Sequence, residues 1–213
     1  MSAADLKAAL RANTAHSEPS AIRLHRAISW LARAEQESED PDARFIFLWI
    51  ALNAAYAKQF GFERFERENL QSFIDSLLQT DAKGQLKATT FQQFSGPIRI
   101  LINNRFVFDG FWKAVRDHDA SDRWQREFAT ANTRALEAVM TSQTGVVLSI
   151  VFDRLYVLRN QLVHGGATWN SQVNRAQISD GANILGSLVP IIIALMIDHP
   201  ERDFGEILYP VIG

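Results

Sequence analysis

Residues 144–166 read TGVVLSIVFDRLYVLRNQLVHGG, and this stretch decides the fold. Its apolar side chains recur at helical spacing and form a stripe of Leu148, Val151, Leu155, Leu158 and Leu162. Two glycines, Gly165 and Gly166, follow the last apolar turn, and glycine at this place is typical of a helix C-terminus. The stretch therefore predicts one long helix that begins at residue 143 or 144 and ends at His164.

The same helix carries a second row of side chains, which is polar. Asp153, Tyr156, Asn160 and His164 follow one another at intervals of three, four and four residues. Residues at these intervals share one face of a helix, here roughly opposite the apolar stripe. The row contains neither Lys nor Glu, the usual solubilising residues, and its groups are suited to hydrogen bonding and proton transfer. The pattern therefore predicts a helix with one buried face and, roughly opposite it, one functional face.

Side chains near this C-terminus fit the chemistry of a phosphate ester. The partial negative charge of a helix C-terminus favours a protonated His164, and histidine is suited to acid–base catalysis near neutral pH. Arg159 offers a planar, permanently charged donor group, and Asn160 can fix the imidazole or a ligand oxygen. In the alternative interpretation, His164 only caps the last carbonyl groups.

Arg159 and His164 do not share a face of the helix, because five residues correspond to about 140° of rotation. Either the long arginine side chain bends round the helix, or a second copy of the helix supplies the missing group. A two-fold dimer would place two such sets of side chains in one cleft.

The remaining sequence is helical in pattern almost throughout. Helical spacing predicts helices over 3–15, 21–37, 66–79, 123–140 and 180–198. Asp40-Pro41, an N-cap residue followed by proline, predicts the start of a further helix that carries residues 44–60. Residues 81–119 contain Gly84, a Gly96-Pro97 break and several aromatic residues, so we expect short helices and loops there. The sequence predicts a single all-α domain over 1–213, a bundle of five to six main helices. A peripheral segment at 1–18 and an irregular helical insertion at 81–120 complete this domain.

Composition excludes several classes of protein. The 213 residues are 47% hydrophobic and 22% charged, which excludes an intrinsically disordered chain. The chain has no cysteine, so disulfides, Cys-ligated metals and cysteine nucleophiles are excluded, and a reducing cytoplasm is compatible. A formal net charge of −2 provides no global basic field for nucleic acid, so any recognition of phosphate must be local.

Other motifs are absent or weak. The sequence has no glycine-rich phosphate loop, no nucleophile elbow and no His-Glu-x-x-His motif. Asp117-His118-Asp119 holds metal-ligating residue types, but adjacent helical residues point about 100° apart, so a solvated turn is the preferred interpretation. The apolar segment 184–197 is shorter than the roughly twenty residues of a membrane span, and we expect a buried core helix. Neither a metal, a cofactor nor a membrane is expected.

Arg159-Asn160-x-x-x-His164 resembles the Arg-x4–6-His signature of the HEPN domain family. The segment FLWIALNAAY at 47–56 is similar to an early helix of the larger bacterial, ApeA-like HEPN proteins. The resemblance covers roughly residues 20–198 and implies an all-α bundle with metal-independent endoribonuclease activity. By this resemblance, Arg159 stabilises the phosphorane charge, His164 is the general acid or base, and Asn160 orients one of them. The 2′-hydroxyl attacks the adjacent phosphate, so RNA is the substrate and DNA is not.

The resemblance also implies a biological setting. In the family, Arg and His from two protomers form a composite site, so a homodimer is expected. We also expect the protein to be cytoplasmic. Family members serve in toxin–antitoxin systems, phage defence and RNA processing, which implies an antitoxin or regulatory partner protein. One subgroup carries a tyrosine two residues after the histidine, which a nucleotidyltransferase antitoxin modifies. This chain has Gly166 there, so that mode of regulation is in doubt.

Further residues are weaker candidates for the site. We expect Tyr156 and Arg175 to bind substrate, and Trp169 and Asn170 to lie where they can close over the cleft. Asn103-Asn104-Arg105 precedes aromatic residues that could stack on bases, although a loop leading into core aromatics is the preferred interpretation.

Two hypotheses stand beside the nuclease. The first is a non-catalytic HEPN-like helical module that binds a nucleotide or a partner protein, which the modest net charge favours. The second is a helical protein unrelated to the HEPN family.

Overall fold

In the computed structural model, the described residues are 1–56 and 63–204, and the side chains of 63–69 are not described. These residues form helices and connecting segments without a β-strand, so the predicted all-α class is confirmed. The chain divides into two compact units. The first unit is Met1–Leu86 with Ile178–Gly213, as far as these ranges are described, and the second unit is Lys87–Gln177.

The first unit contains four N-terminal helices and most of the last one. They are α1 (Ala3–Ala12), α2 (Glu18–Glu35), α3 (Pro41–Tyr56), α4 (Glu63–Thr80) and α10 (Arg175–Asp198). All five were predicted, and α10 begins five residues before the predicted start at 180. The last residues of the helix predicted over 44–60 lie outside the described part of the chain.

Local sequence explains where these helices begin. The Ser2 hydroxyl accepts a hydrogen bond from the Asp5 N–H at 3.2 Å, and the Asp5 carboxylate accepts one from the Ser2 N–H at 2.8 Å. This reciprocal capping box starts α1. Asp40 accepts a hydrogen bond from the N–H of Ala43 at 3.0 Å and Pro41 opens α3, as the Asp-Pro pair predicts.

The core of the first unit is built on its most apolar helices. In α3, Phe45, Leu48 and Leu52 are fully buried, and α3 packs along α2. The N-terminal segment 1–18, predicted to be peripheral, contributes Leu6, which is also fully buried.

Helix α10 is long and apolar enough to cross a membrane by length and composition alone. A core helix passes the same test, and 72% of its most apolar window is buried. The predicted core segment 184–197 is buried at nearly every apolar position, and Pro190 lies inside the helix.

The second unit begins irregularly and ends with two long helices. Its elements are the end of α5 (Gln85–Ala88), a π-helical turn at Thr89–Gln93, α6 (Ser95–Asn103), a 3-10 turn at Arg105–Val107, α7 (Asp109–Arg116), α8 (Arg123–Met140) and α9 (Thr144–Val163). The expectation of short helices and loops over 81–119 is confirmed, and α8 has both ends as predicted.

Helix α9 is the central helix of the second unit and packs against α6 and α8. Four residues of its predicted stripe, Leu148, Val151, Leu155 and Leu158, are buried, and Leu162 is half-buried near the helix end. Burial thus fixes α9 along most of its length and leaves its C-terminal turn at the surface.

Candidate functional site

The C-terminal turn of α9 ends as its glycines predict. His164 is the cap residue, and its backbone N–H donates to the carbonyl of Asn160 at 3.0 Å. Gly165 has a φ of +69°, and its N–H donates to the Leu162 carbonyl at 3.2 Å. A residue with this φ lets the chain reverse direction while the last helical carbonyls still find donors. The turn therefore holds His164 at a defined place on the end of the helix.

Gly166 lies too close to α9 to carry a side chain without adjustment. A Cβ atom at this position would be 3.2 Å from the carbonyl oxygen of Gln161 and 3.5 Å from its Cα. The next residue, Ala167, fastens the turn by donating its N–H to the same Gln161 carbonyl at 3.0 Å. A tyrosine here, as in one HEPN subgroup, would require the turn after His164 to shift.

Shortly before the cap, Arg159 contacts two other predicted site residues. Arg159 Nη1 donates to Asn160 Oδ1 at 2.8 Å, and Arg159 Cζ lies 5.0 Å from the centroid of the Tyr156 ring. All three residues are half-buried. An arginine held by an amide oxygen and an aromatic ring loses side-chain freedom before any ligand binds. Of the two roles left open for Asn160, the structure shows contact with Arg159.

The His164 side chain is exposed, whereas Asp153, Tyr156 and Asn160 of the same polar row are half-buried. His164 is joined to the preceding turn through its backbone bond to Asn160. The end of α9 therefore presents an accessible imidazole five residues after a guanidinium that Tyr156 and Asn160 hold in place.

Arg175 lies near this end of α9 because the preceding residue, Asn174, contacts Gln161. Asn174 Nδ2 donates to Gln161 Oε1 at 3.4 Å, which brings the start of α10 beside the last turn of α9. The Nε and Nη2 atoms of Arg175 are buried, so a phosphate in this conformation would meet only the rest of its guanidinium. Substrate binding by Arg175 stays a prediction.

Gln161 is a positioning residue that the sequence pattern did not single out. Its Nε2 donates to the carbonyl of Phe106 at 2.6 Å, while its Oε1 accepts from Asn174. One side chain thus ties two distant segments to the turn that carries Asn160 and His164. A lone glutamine between a polar row and an apolar stripe gives no signal of such a role.

Arg154 is a buried charge that was also missed. Its side chain is 5% exposed, and its Cζ lies 4.7 Å from the centroid of Phe108 and 5.6 Å from that of Phe128. Aromatic faces attract a guanidinium by their quadrupole, so the two rings offset part of the cost of burial. Arg154 directly precedes Leu155 of the apolar stripe, and this position beside the buried face was the available signal that its side chain is buried.

Charge is distributed unevenly between the two units. Residues 87–177 contain eleven Lys and Arg against seven Asp and Glu, a formal net charge of +4. The rest of the chain contains eleven against seventeen, a formal net charge of −6. The overall charge of −2 therefore conceals a basic unit, and this unit carries the candidate site.

The Asp117-His118-Asp119 segment is an exposed turn after α7, as its preferred interpretation expects. His118 has a φ of +51°, and Asp119 N–H donates to the Ala114 carbonyl at 2.9 Å. Hydrogen bonds from the side chain and backbone of Ser121 lower the pKa of Asp119. Among the side chains of residues 1–56 and 70–204, no group of three or more acidic or histidine residues is arranged to hold a metal.

No family model, curated protein or solved structure matches this chain. Its function is therefore inferred from the residues at the end of α9 and from their surroundings.

Proposed function

We propose that this protein is a metal-independent endoribonuclease of the HEPN type, with Arg159, Asn160 and His164 as its catalytic residues. One observation carries the proposal: a guanidinium held by Asn160 and Tyr156, followed five residues later by an exposed imidazole at the end of the same helix. The net charge of +4 on the second unit supports it, because a basic surface attracts a polyanion.

In the proposed reaction, the 2′-hydroxyl of one nucleotide attacks its adjacent phosphate. The bond between the 2′-oxygen and phosphorus forms and the bond from phosphorus to the 5′-oxygen breaks, leaving a 2′,3′-cyclic phosphate and a 5′-hydroxyl. One imidazole accepts the proton of the 2′-hydroxyl, and a protonated imidazole donates a proton to the departing 5′-oxygen. The guanidinium of Arg159 stabilises the charge of the phosphorane. DNA lacks the attacking group and is not cut.

The two proton transfers favour a composite site in a homodimer. Each α9 provides one His164, and Arg159 lies about 140° away around the helix. A two-fold axis beside the end of α9 would place both imidazoles and both guanidinium groups in a shared cleft.

The sequence resemblance adds the biological part of the proposal. We place the protein in the cytoplasm, in a toxin–antitoxin or phage-defence system, with RNA as substrate and an antitoxin or regulatory protein as a partner. The proposed chemistry requires no cofactor, because every proton transfer and all charge stabilisation come from side chains.

RNA cleavage by the purified protein in the presence of EDTA tests the proposal. We expect the unsubstituted protein to leave cyclic-phosphate ends, and His164→Ala and Arg159→Ala each to lose roughly 10²–10⁴-fold in rate. His118→Asn and Arg134→Ala alter an exposed histidine and an exposed arginine of the same unit and should retain full activity. Equal cleavage by all five proteins would refute the assignment.

Mixed dimers test the composite site. When unsubstituted and His164→Ala chains are co-expressed in equal amounts, half of the randomly formed dimers contain one of each. If both imidazoles of a dimer act in one shared cleft, these mixed dimers lose one of the two proton transfers, and isolated mixed dimers should cleave RNA no faster than a few per cent of the unsubstituted rate. A strictly monomeric protein, or mixed dimers that retain half of the unsubstituted rate, would contradict the composite site.

A non-catalytic module that binds a nucleotide or a partner protein is the second candidate. The observation that favours it is the exposure of Val163, Trp169 and Val173 around the same turn, since exposed apolar side chains suit a protein surface. Retained RNA or protein binding without cleavage by any variant would support this candidate.

A further inference from the structure

Phe106 is an exposed aromatic residue that the preferred sequence interpretation placed in the core. Its side chain is 42% exposed, whereas the next residue, Val107, is buried. The exposed part of this ring offers an apolar surface that a ligand can cover.

The Phe106 ring lies in a cluster of aromatic side chains. Phe111 meets it edge-on with ring centroids 5.4 Å apart, and the Trp112 ring lies at 6.4 Å. The guanidinium of Arg105 lies 4.9 Å from the centroid of Phe106 and 5.7 Å from that of Phe111. The neighbouring rings therefore support Phe106, and the guanidinium of Arg105 brings a positive charge to it.

The backbone of Phe106 is fastened from two sides. Its carbonyl accepts hydrogen bonds from the Trp112 indole at 2.7 Å and from Gln161 Nε2 at 2.6 Å. Gln161 directly follows Asn160, so this contact joins the aromatic cluster to the turn that carries the candidate site. The backbone of Phe106 is thus held beside α9, although 55 positions separate it from Gln161 in sequence.

We infer that Phe106 and Arg105 form a platform on which a nucleobase of single-stranded RNA stacks while its phosphate lies at Arg159 and His164. This inference rests on the proposed function for its substrate. An aromatic face takes any base, and a guanidinium beside it attracts the flanking phosphate. A base paired within a duplex cannot lie on the platform, so unpaired RNA is the preferred substrate.

Binding of a 2′-O-methyl RNA dodecamer tests the platform, because this strand lacks the attacking hydroxyl and stays intact. Phe106→Leu keeps the apolar bulk and the backbone carbonyl of Phe106 but removes the aromatic face. We expect it to weaken binding about 5- to 150-fold, the ratio that corresponds to the roughly 1–3 kcal/mol of one stacked base. Phe106→Trp should bind as tightly as the unsubstituted protein.

Two controls separate stacking from other effects. Val115→Ala removes an exposed apolar side chain from the same unit and should leave the affinity unchanged. A dodecamer with abasic residues throughout should bind all four proteins equally, because it offers phosphates without bases. Equal affinity of the Phe106→Leu variant and the unsubstituted protein for the full dodecamer would overturn the inference.

The same proteins distinguish this inference from the proposed activity. Binding that depends on Phe106, with no cleavage of ordinary RNA, would support the platform and refute the nuclease. Cleavage of ordinary RNA, with binding that does not depend on Phe106, would support the nuclease and refute the platform. If the unsubstituted protein neither binds nor cuts RNA, both are overturned.

Discussion

The first unit carries eleven basic side chains against seventeen acidic ones, whereas the second carries eleven against seven. Their surfaces also differ. Among the described residues, two large exposed hydrophobic side chains belong to the first unit, and seven belong to the second, namely Ile100, Phe106, Val115, Met140, Val163, Trp169 and Val173. Buried apolar helices thus dominate the first unit, while the second keeps apolar and basic groups at its surface.

The two units also use buried arginines differently. In the first unit, Arg23 donates to the carbonyls of Ala55 at 3.1 Å and Phe204 at 2.7 Å. Burial lowers the pKa of Arg23, and the charge of Asp203 partly opposes this shift. In the second unit, Arg154 lies against the rings of Phe108 and Phe128. The first arginine satisfies backbone groups, and the second packs against aromatic side chains.

Replacing each arginine by methionine should have the largest effect. Arg23→Met leaves two carbonyls without their donor and is expected to lower the free energy of unfolding by about 3 kcal/mol. Arg154→Met keeps apolar contact with the two rings but removes the guanidinium from them, and should lower the free energy of unfolding by at least about 1–2 kcal/mol. Urea denaturation followed by circular dichroism gives both values. Unchanged stability of either variant would contradict the role given to that arginine.

Much of the fold was accessible from the sequence, because helix signals are local. The Asp40-Pro41 pair and the glycines after His164 mark helix ends through backbone chemistry that needs no tertiary contact. The division into two units was not anticipated. It depends on which helices pack together, and the chain returns to the first unit at Ile178, inside the pattern of one continuous helix.

The candidate site was predictable to a smaller extent. Helical spacing placed Tyr156 and Asn160 on one face, and the structure adds that Arg159 contacts both. The link from Gln161 to Phe106 joins residues 55 positions apart in sequence, so no local period could reveal it. The basic character of residues 87–177 became visible only when the unit boundaries were known.

Two glycines provide a matched test of where the function lies. Gly84 in the first unit has a φ of +64° and Gly165 in the second has +69°, and a Cβ atom would meet nothing within 4 Å at either position. Replacement by alanine should therefore cost each unit about 1 kcal/mol through backbone strain alone. Thermal unfolding measures this loss, which should be similar for the two variants.

Only Gly165→Ala should impair the proposed nuclease activity, because this turn positions His164. We expect its RNA cleavage rate to fall about tenfold or more, while Gly84→Ala cleaves at the unsubstituted rate. Asparagine tolerates a positive φ, so Gly165→Asn should recover part of the activity. A similar loss in both alanine variants would mean that the activity follows overall stability and not the end of α9.

The smallest expected effect concerns the charge difference between the units. Affinity for the uncleavable 2′-O-methyl dodecamer should fall with salt, and Arg159→Gln should reduce the slope of log K against log salt by about 0.7, the value for one phosphate contact on a single strand. Between 50 and 200 mM salt this amounts to a change of less than about threefold. Arg11→Gln removes an exposed arginine from the acidic first unit and should leave the slope unchanged. Equal slopes for the unsubstituted protein and the Arg159→Gln variant would mean that no phosphate of the bound strand contacts Arg159. A reduced slope for Arg11→Gln would mean that the first unit also binds the strand.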